Sequence, residues 1–204
     1  MRKLDQASEV RVEVVTTTFV ASGRPEGVHD LGRFLENLNN PAISRQIELN
    51  SAAVRPLYRA SAQLPLDAPM LVRRDEIIFA TFEGPHFTRG AVRPDQVDVP
   101  ILLLAPPFQI QGKLAVASGA NNTEILRSRM QGFVAVSDAQ VYDAEGNILG
   151  EGEQIIVNGA AVQMTCATAL HIPAAVSRPT AVQRHAAGRF VEEPAVEEQA
   201  ARAA

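Results

Sequence analysis

The chain runs twice through the same order of predicted elements, and this repetition limits its possible folds more than any other feature. Residues 9–23 alternate valines with charged residues and then carry β-branched threonines, which predicts strand structure with a period of two. Apolar residues between Leu31 and Leu38 then fall on one face of a short helix, with Asp30 as the expected N-cap. Further strands are predicted over residues 44–57 and, as a pair, around residues 62–66 and 70–82.

The same order returns from Val97 onward. Residues 97–112 are interpreted as a strand that ends at Gly112, as the first strand ends at Gly23. The stretch "NNTEILRSRM" predicts the second short helix, capped by Asn122 or Thr123. The stretches "FVAVSDAQVYDA" and "IIVNGAAVQM" then correspond to the later strands of the first copy.

The spacing between matched positions supports a duplication. It is 89 residues between Phe19 and Phe108 (108 − 19) and 85 residues between Val72 and Val157 (157 − 72). Such a small drift is what short loop deletions in a duplicated domain would produce. The copies share apolar positions and turns but no reactive residue, so the repeated pattern indicates scaffold.

Residues 137–159, "SDAQVYDAEGNILGEGEQIIVNG", alternate apolar and polar side chains on both sides of a turn at Glu145–Gly146–Asn147. This pattern predicts a hairpin. We interpret it as the central hairpin of the second copy.

The repetition predicts an α+β, β-rich fold made of two tandem small β-barrels or half-sandwiches, each with one short helix. The first repeat is placed at residues 9–82, a linker at 83–96 and the second repeat at 97–172. Residues 173–204 are rich in Ala, Pro, Glu and Arg, and we expect a disordered tail. A repeat of about 70 residues has a marginal core. We therefore expect the copies to pack on each other or on copies from another chain.

The repeat resembles a family of small, uncharacterised bacterial domains. The matching pieces are Gly23 and Gly112, Leu38–Asn39, "SDAQVYD" at 137–143 and "IIVNG" at 155–159. This domain of unknown function would occur here in two tandem copies, and the resemblance implies a shape without an activity. The order of helix and strands is also similar to Sm-type and other small β-barrels, which makes nucleic-acid binding a rival hypothesis.

Composition narrows the classes of protein to consider. Apolar residues make up 46% of the chain, enough to bury a core, and the formal net charge of −4 disfavours a general nucleic-acid binder. The one cysteine, Cys166, lies in an apolar run and is expected to be inert. The N-terminus has no apolar segment typical of a secretory signal, and no apolar stretch is long enough to span a bilayer, so we expect a cytoplasmic protein without a membrane partner.

The sequence predicts no catalytic, cofactor-binding or metal site. It contains no nucleophile elbow, phosphate-binding glycine loop or closely spaced cysteine or histidine ligands. The four histidines, His29, His86, His171 and His185, are interpreted as ordinary surface or loop residues because none recurs at a matched position.

These observations favour a non-enzymatic structural or protein-interaction module that associates with itself through exposed strand edges or the helix face. The alternative is a small-barrel, Sm-like protein that binds nucleic acid. For that alternative the candidate polar contacts are Arg24, Lys113, Arg73 and Arg74, of which Arg24 and Lys113 occupy matched positions. A third hypothesis is an enzyme or small-ligand binder with its pocket between the two copies.

Overall fold

The computed structural model describes residues 10–40, 42, 45–58, 63–84, 95–119 and 121–167. We call residues 10–84 the first half and residues 95–167 the second half. Most of the predicted linker and the whole of the predicted tail lie outside the described residues.

The described chain forms eleven strands and two α-helices. Its elements are β1 (Arg11–Val15), β2 (Phe19–Pro25), α1 (Leu31–Asn39), β3 (Gln46–Pro56), β4 (Leu64–Pro65), β5 (Met70–Arg73), β6 (Phe79–Glu83), β7 (Gln96–Ala105), β8 (Phe108–Ala117), α2 (Asn122–Arg129), β9 (Phe133–Tyr142), β10 (Ile148–Asn158) and β11 (Met164–Cys166). A short 3₁₀ helix precedes the last strand of each half, at Arg74–Glu76 and Gly159–Ala161.

Helix α1 confirms the sequence prediction in detail. The Asp30 carboxylate accepts a hydrogen bond from the backbone N–H of Arg33 at 2.7 Å, which satisfies one of the unpaired amides at the helix start. Leu31, Phe34 and Leu38 are buried along one face. The apolar spacing read from the sequence is therefore the face that packs on the sheet.

The predicted strand over residues 97–112 is in fact two strands. β7 and β8 form an antiparallel hairpin in which Ala105 lies opposite Phe108, and Pro106–Pro107 forms the turn. Proline has no amide hydrogen to give to a strand ladder, so this pair interrupts the apolar run. The first stretch, residues 9–23, is likewise a hairpin of β1 and β2. The hairpin predicted within residues 137–159 is confirmed as β9 and β10.

The expectation of two separate barrels or half-sandwiches is wrong. The strands form one open antiparallel sheet in the order β11-β7-β8-β9-β10-β6-β1-β2-β3-β4, and β5 also pairs with β3. The reason is that β10 of the second half pairs with β6 of the first half. This contact between distant strands merges what the repeat pattern had suggested were two closed units.

Two apolar cores lie within the described sheet, and each takes side chains from both halves. The core of the second half includes Val15, Val20 and Phe79 from the first half. The core of the first half, which α1 covers, includes Ile156 from the second half. The halves are therefore parts of one packed body.

The same β-bulge bends both halves. It falls between β2 and β3 at Ser51, and between β8 and β9 at Asp138, and these residues have φ values of 49° and 48°. The matched glycines face these bulges. A Cβ on Gly112 would lie 2.5 Å from Val136 Cγ1, and a Cβ on Gly23 would lie 3.0 Å from Leu49 Cβ. Gly112 is therefore required by close contact between neighbouring strands, and a side chain at Gly23 would fit only if its neighbours moved by a few tenths of an ångström.

Candidate functional site

The two halves of the sheet meet where β10 pairs with β6, a contact that we call the junction. It is antiparallel, and beyond its three residue pairs Asn158 N–H donates a hydrogen bond to Ile78 O at 2.9 Å. The three pairs are Ile155 with Thr81, Ile156 with Ala80, and Val157 with Phe79.

Each half places an apolar side chain from the junction in the core of the other half. Phe79 packs among the core residues of the second half, with its ring centroid 5.2 Å from that of Phe108 in a near-perpendicular arrangement. Ile156 packs in the core of the first half. Both side chains are buried, with exposed fractions of 4% for Phe79 and 0% for Ile156. The junction is therefore packed like a protein interior.

Two asparagine side chains add hydrogen bonds between the two halves. Asn39 Nδ2 donates to Phe133 O at 2.8 Å, and Asn39 Oδ1 accepts from Phe133 N–H at 2.7 Å. Asn158 Nδ2 donates to Ile77 O at 2.8 Å in a buried position. Both asparagines belong to the pieces on which the family resemblance rests, and the structure gives them a role in joining the halves.

Strand β5 occupies the position in the first half that the end of β10 occupies in the second. β5 pairs with β3 so that Val72 lies opposite Ile47, and β10 pairs with β9 so that Val157 lies opposite Val134. Each strand is followed directly by the 3₁₀ helix of its half.

Strand β11 is related in the same way to β6. β11 pairs with β7 so that Met164 lies opposite Leu104, whereas β6 pairs with β1 so that Phe79 lies opposite Val15. Together, β5 and β11 are the counterparts of the two strands that form the junction.

β5 and β11 differ from the junction strands in how much of their apolar side chains is exposed. Within the described part of the chain, β5 has only β3 as a strand partner and β11 has only β7. Leu71 on β5 is 58% exposed, while its counterpart Ile156 is fully buried. Met164 on β11 is 47% exposed, while its counterpart Phe79 is buried. The sheet therefore presents two apolar edges of the kind that it covers internally at the junction.

The candidate basic residues Arg24 and Lys113 each contact the bulge of their own half. Arg24 Nη2 donates to Ser51 Oγ at 2.9 Å, and Lys113 Nζ lies 2.8 Å from Asp138 Oδ2. The matched basic position thus has a local partner in both halves, at the residue with positive φ. Neither residue lies on β5 or β11.

Arg74 and Arg73 have different surroundings although they are adjacent. Arg74 Nη1 donates to three backbone carbonyls at the end of α1, those of Asn37, Leu38 and Asn40, at 2.9–3.2 Å. Arg73 is exposed and forms an ion pair with Asp75. Hydrogen bonding from Arg73 lowers the pKa of the Asp75 carboxyl. The sequence analysis gave Arg74 as a candidate contact for nucleic acid, and in the structure its guanidinium caps the end of α1.

A carboxyl group is largely buried in the sheet of the first half. Glu13 on β1 lies 3.6 Å from Arg55 Nη2, and one of its carboxylate oxygens, Oε1, is buried without a hydrogen-bond partner. Burial raises the pKa of the Glu13 carboxyl, and the charge of Arg55 opposes this change.

A surface depression of about 860 Å³ is lined by residues of the first half alone. It is open and lined by residues that include Arg24, His29 and Asp67. His29, at 77% side-chain exposure, lies 3.3 Å from the Asp30 carboxylate. The other three histidines lie outside the described residues.

The described residues contain no group of three or more His, Cys, Asp or Glu side chains that could hold a metal ion. Neither described helix is long and apolar enough to cross a membrane.

Comparison with protein-family models, with curated proteins and with solved structures gives no match for this chain. The resemblance to the bacterial domain family therefore stays a prediction, and the function must be argued from the geometry alone.

Proposed function

We propose that this protein is a non-enzymatic structural or protein-interaction module that associates with itself through the edges of its sheet. The observation that carries this proposal is the exposure of Leu71 and Met164 on strands whose counterparts are buried at the junction. An edge strand with apolar side chains presents unpaired backbone groups and an uncovered surface to another strand.

The contacts of the candidate basic residues do not favour the nucleic-acid alternative over this proposal. Arg24 and Lys113 each have a partner in their own half, and Arg74 donates to carbonyls of α1. The apolar edges instead present main-chain hydrogen-bonding groups with apolar side chains beside them, which is the chemistry of strand addition.

The proposal is tested by measuring the mass of the full-length protein over a wide concentration range, by sedimentation velocity and native mass spectrometry. We expect oligomers to form as the protein concentration rises. Leu71→Asp should shift the distribution towards monomer, because burying a leucine contributes about 1.5–3 kcal/mol and an aspartate would have to lose its hydration. A monomer at every concentration would refute the proposal.

The matched control is Leu64→Asp. Leu64 is 62% exposed on β4, and its counterpart in β10 lies outside the three residue pairs of the junction. This variant should associate as the wild type does. An equal loss of association in both variants would mean that general surface hydrophobicity, and not the β5 edge, drives the contact.

The absorbance spectrum of the purified protein tests the nucleic-acid alternative. The chain has no Trp and two Tyr, so co-purified nucleic acid would dominate absorbance near 260 nm. A spectrum of this kind that clears at high salt, with association lost at the same time, would favour the alternative.

A further inference from the structure

We infer that the partner of each edge is a second copy of this chain, bound head to tail, with β5 of one copy paired antiparallel to β11 of the next. This inference rests on the proposed function and specifies the strands, their direction and their register. The junction is its template, because β5 and β11 are the counterparts of the two strands that pair there.

The register follows from the strands next to each edge. Leu71 lies opposite Glu48 as Ile156 lies opposite Ala135, and Thr165 lies opposite Leu103 as Ala80 lies opposite Val14. Transferring the junction pairs gives the intermolecular pairs. They are Met70 with Cys166, Leu71 with Thr165, and Val72 with Met164.

Side-chain exchange between the cores should be reproduced in this contact. At the junction, Ile156 enters the core of the first half and Phe79 enters the core of the second. In the intermolecular contact, Leu71 would be covered by the second half of the next copy. Met164 would be covered by the first half of its neighbour. Both exposed apolar side chains are then buried by one pairing.

The backbone next to β11 is already set for this pairing. At the junction, Ile78 donates its N–H to Val15 O at 2.9 Å while its carbonyl accepts from Asn158 N–H. Gln163 donates its N–H to Leu104 O at 2.8 Å in the same way. By the template of the junction, the Gln163 carbonyl would accept from Arg73 N–H of the next copy.

Two differences between matched positions make the intermolecular contact weaker than the junction. Arg73 replaces Asn158, whose side chain donates to Ile77 O across the junction, and Gln163 replaces the buried Ile78. The contact therefore lacks one buried hydrogen bond and one buried apolar side chain. Reversible association that depends on protein concentration is the expected behaviour.

Head-to-tail pairing leaves one unused β5 edge and one unused β11 edge at the ends of any open assembly. Such a contact is heterologous, so it produces a closed ring or an open chain. An isologous alternative would pair β5 with β5, or β11 with β11. The two arrangements are separated by the following experiments.

The first experiment mixes two full-length variants that are each disabled at one edge. Leu71→Asp alone and Met164→Asp alone should each associate at least about tenfold more weakly than wild type. An equimolar mixture should form a 1:1 heterodimer, because the intact β11 of the first variant can pair with the intact β5 of the second. No larger species should form, since the remaining edges are disabled. A mixture that stays monomeric while the wild type associates would overturn the head-to-tail inference.

The second experiment tests the register by crosslinking. In an antiparallel pair, hydrogen-bonded and non-hydrogen-bonded positions alternate, and the bond from Asn158 N–H to Ile78 O makes Ile155–Thr81 a non-hydrogen-bonded pair. By the template, Met70 and Cys166 of two copies are such a pair. Their Cα atoms would be about 4.5 Å apart, within the range of a disulfide. Met70→Cys should therefore form disulfide-linked oligomers with the native Cys166 under mild oxidation.

Two controls use the same residues. Leu71→Cys should crosslink little, since its side chain points to the opposite face from Cys166. Met70→Cys combined with Cys166→Ser should form no disulfide-linked species. Dimers that persist in this double variant, or that form in the wild type through Cys166 alone, would indicate an isologous contact and overturn the inference.

The outcomes distinguish a failure of self-association from a failure of the inferred strand register. A wild type that never associates refutes the proposed function together with this inference. A wild type that associates, but whose Met70→Cys variant gives no crosslink while it retains wild-type mass and thermal stability, refutes the register alone. Association of the wild type together with the expected crosslink and heterodimer supports both.

Discussion

Arg74 in the first half and Gly159 in the second occupy equivalent places, and they attach their helices to the sheet in different ways. Each residue begins the 3₁₀ helix of its half. Arg74 N–H donates to the carbonyl of Arg45, just before β3, and Gly159 N–H donates to the carbonyl of Gly132, just before β9. In the first half, the long Arg74 side chain reaches the carbonyls at the end of α1. In the second half, the backbone of Met130 after α2 lies directly against Gly159.

The difference shows that one arrangement of strands can hold its helix by a side chain or by direct backbone contact. α1 buries three apolar residues, and the Arg74 side chain reaches from the 3₁₀ helix to the carbonyls at the end of α1. Among the described side chains of α2, Leu126 is the buried one. The close contact between residue 159 and the Met130 backbone is possible because residue 159 has no Cβ.

The largest effect is expected from adding one methyl group at that contact. In Gly159→Ala, the new Cβ would lie 2.3 Å from Met130 O and 2.6 Å from Met130 C, so the helix or the 3₁₀ turn must move. We expect a loss of about 3 kcal/mol or more in the free energy of unfolding, the upper end of overpacking costs. Chemical denaturation measures this loss. The control is Ala160→Ser at the exposed next position, which should change stability by less than about 0.5 kcal/mol.

Removing the arginine of the first half should have the next largest effect. Arg74→Met keeps much of the apolar side chain but leaves the α1 carbonyls without their donor, at an expected cost of about 1–3 kcal/mol. Arg73→Met is the control, because Arg73 is exposed and its ion pair is with the equally exposed Asp75. Equal melting temperatures for the two variants would contradict the capping role of Arg74.

The halves also differ on their first strands, where Glu13 on β1 has Leu102 on β7 as its counterpart. Because burial raises the pKa of Glu13, the folded protein holds this proton more tightly than the unfolded chain. The stabilisation is present at low pH and is lost as the pH rises from the ordinary value near 4.5 through the raised pKa. Glu13→Gln should remove this component, so the wild type should lose stability relative to the variant over that window.

This pH effect is measured by urea denaturation of both proteins from acidic to neutral pH. Glu153→Gln, at an exposed position of β10, serves as the control for removing one carboxylate. A constant difference between wild type and Glu13→Gln at every pH would contradict the assignment.

The smallest effect is expected at the bulges. Lys113 pairs with the charged Asp138, whereas Arg24 pairs with the neutral Ser51, and both basic side chains are at the surface. Lys113→Met should cost less than about 1 kcal/mol, and the cost should shrink at high salt because exposed ion pairs are screened. A cost of Lys113→Met that does not change with salt would contradict a role for the ion pair with Asp138.

Local features of this fold were predictable from the sequence. The start of α1 at Asp30 and the hairpin of β9 and β10 depend on residues close in the chain, whose spacing carries the signal. The turn at Pro106–Pro107 was missed because the apolar residues on both sides suggested one strand. The two prolines indicate the turn more reliably than the apolar pattern indicates a single strand.

The junction could not be predicted, since Thr81 and Ile155 are far apart in sequence and no local pattern selects their pairing. The exposed edges β5 and β11 could not be predicted for a similar reason. Leu71 and Met164 are apolar residues in strands, as are Ile156 and Phe79, and apolar patterning does not distinguish a covered strand from an uncovered one. Aligning "MLVR" of β5 with "IIVN" of β10 was the signal available in the sequence, and it gained meaning only once the pairing of β10 was known.

The junction has a consequence for how the chain folds as it is made. Thr81 and Ile155 are 74 residues apart (155 − 81), so at a synthesis rate of about 5–20 residues per second the first half waits roughly 4–15 s for its partner strand. During that interval Phe79 has no core to enter, and the outer edge of β6 is uncovered. We therefore expect the nascent first half to be a target for chaperones and to complete its folding only after β10 has left the ribosome.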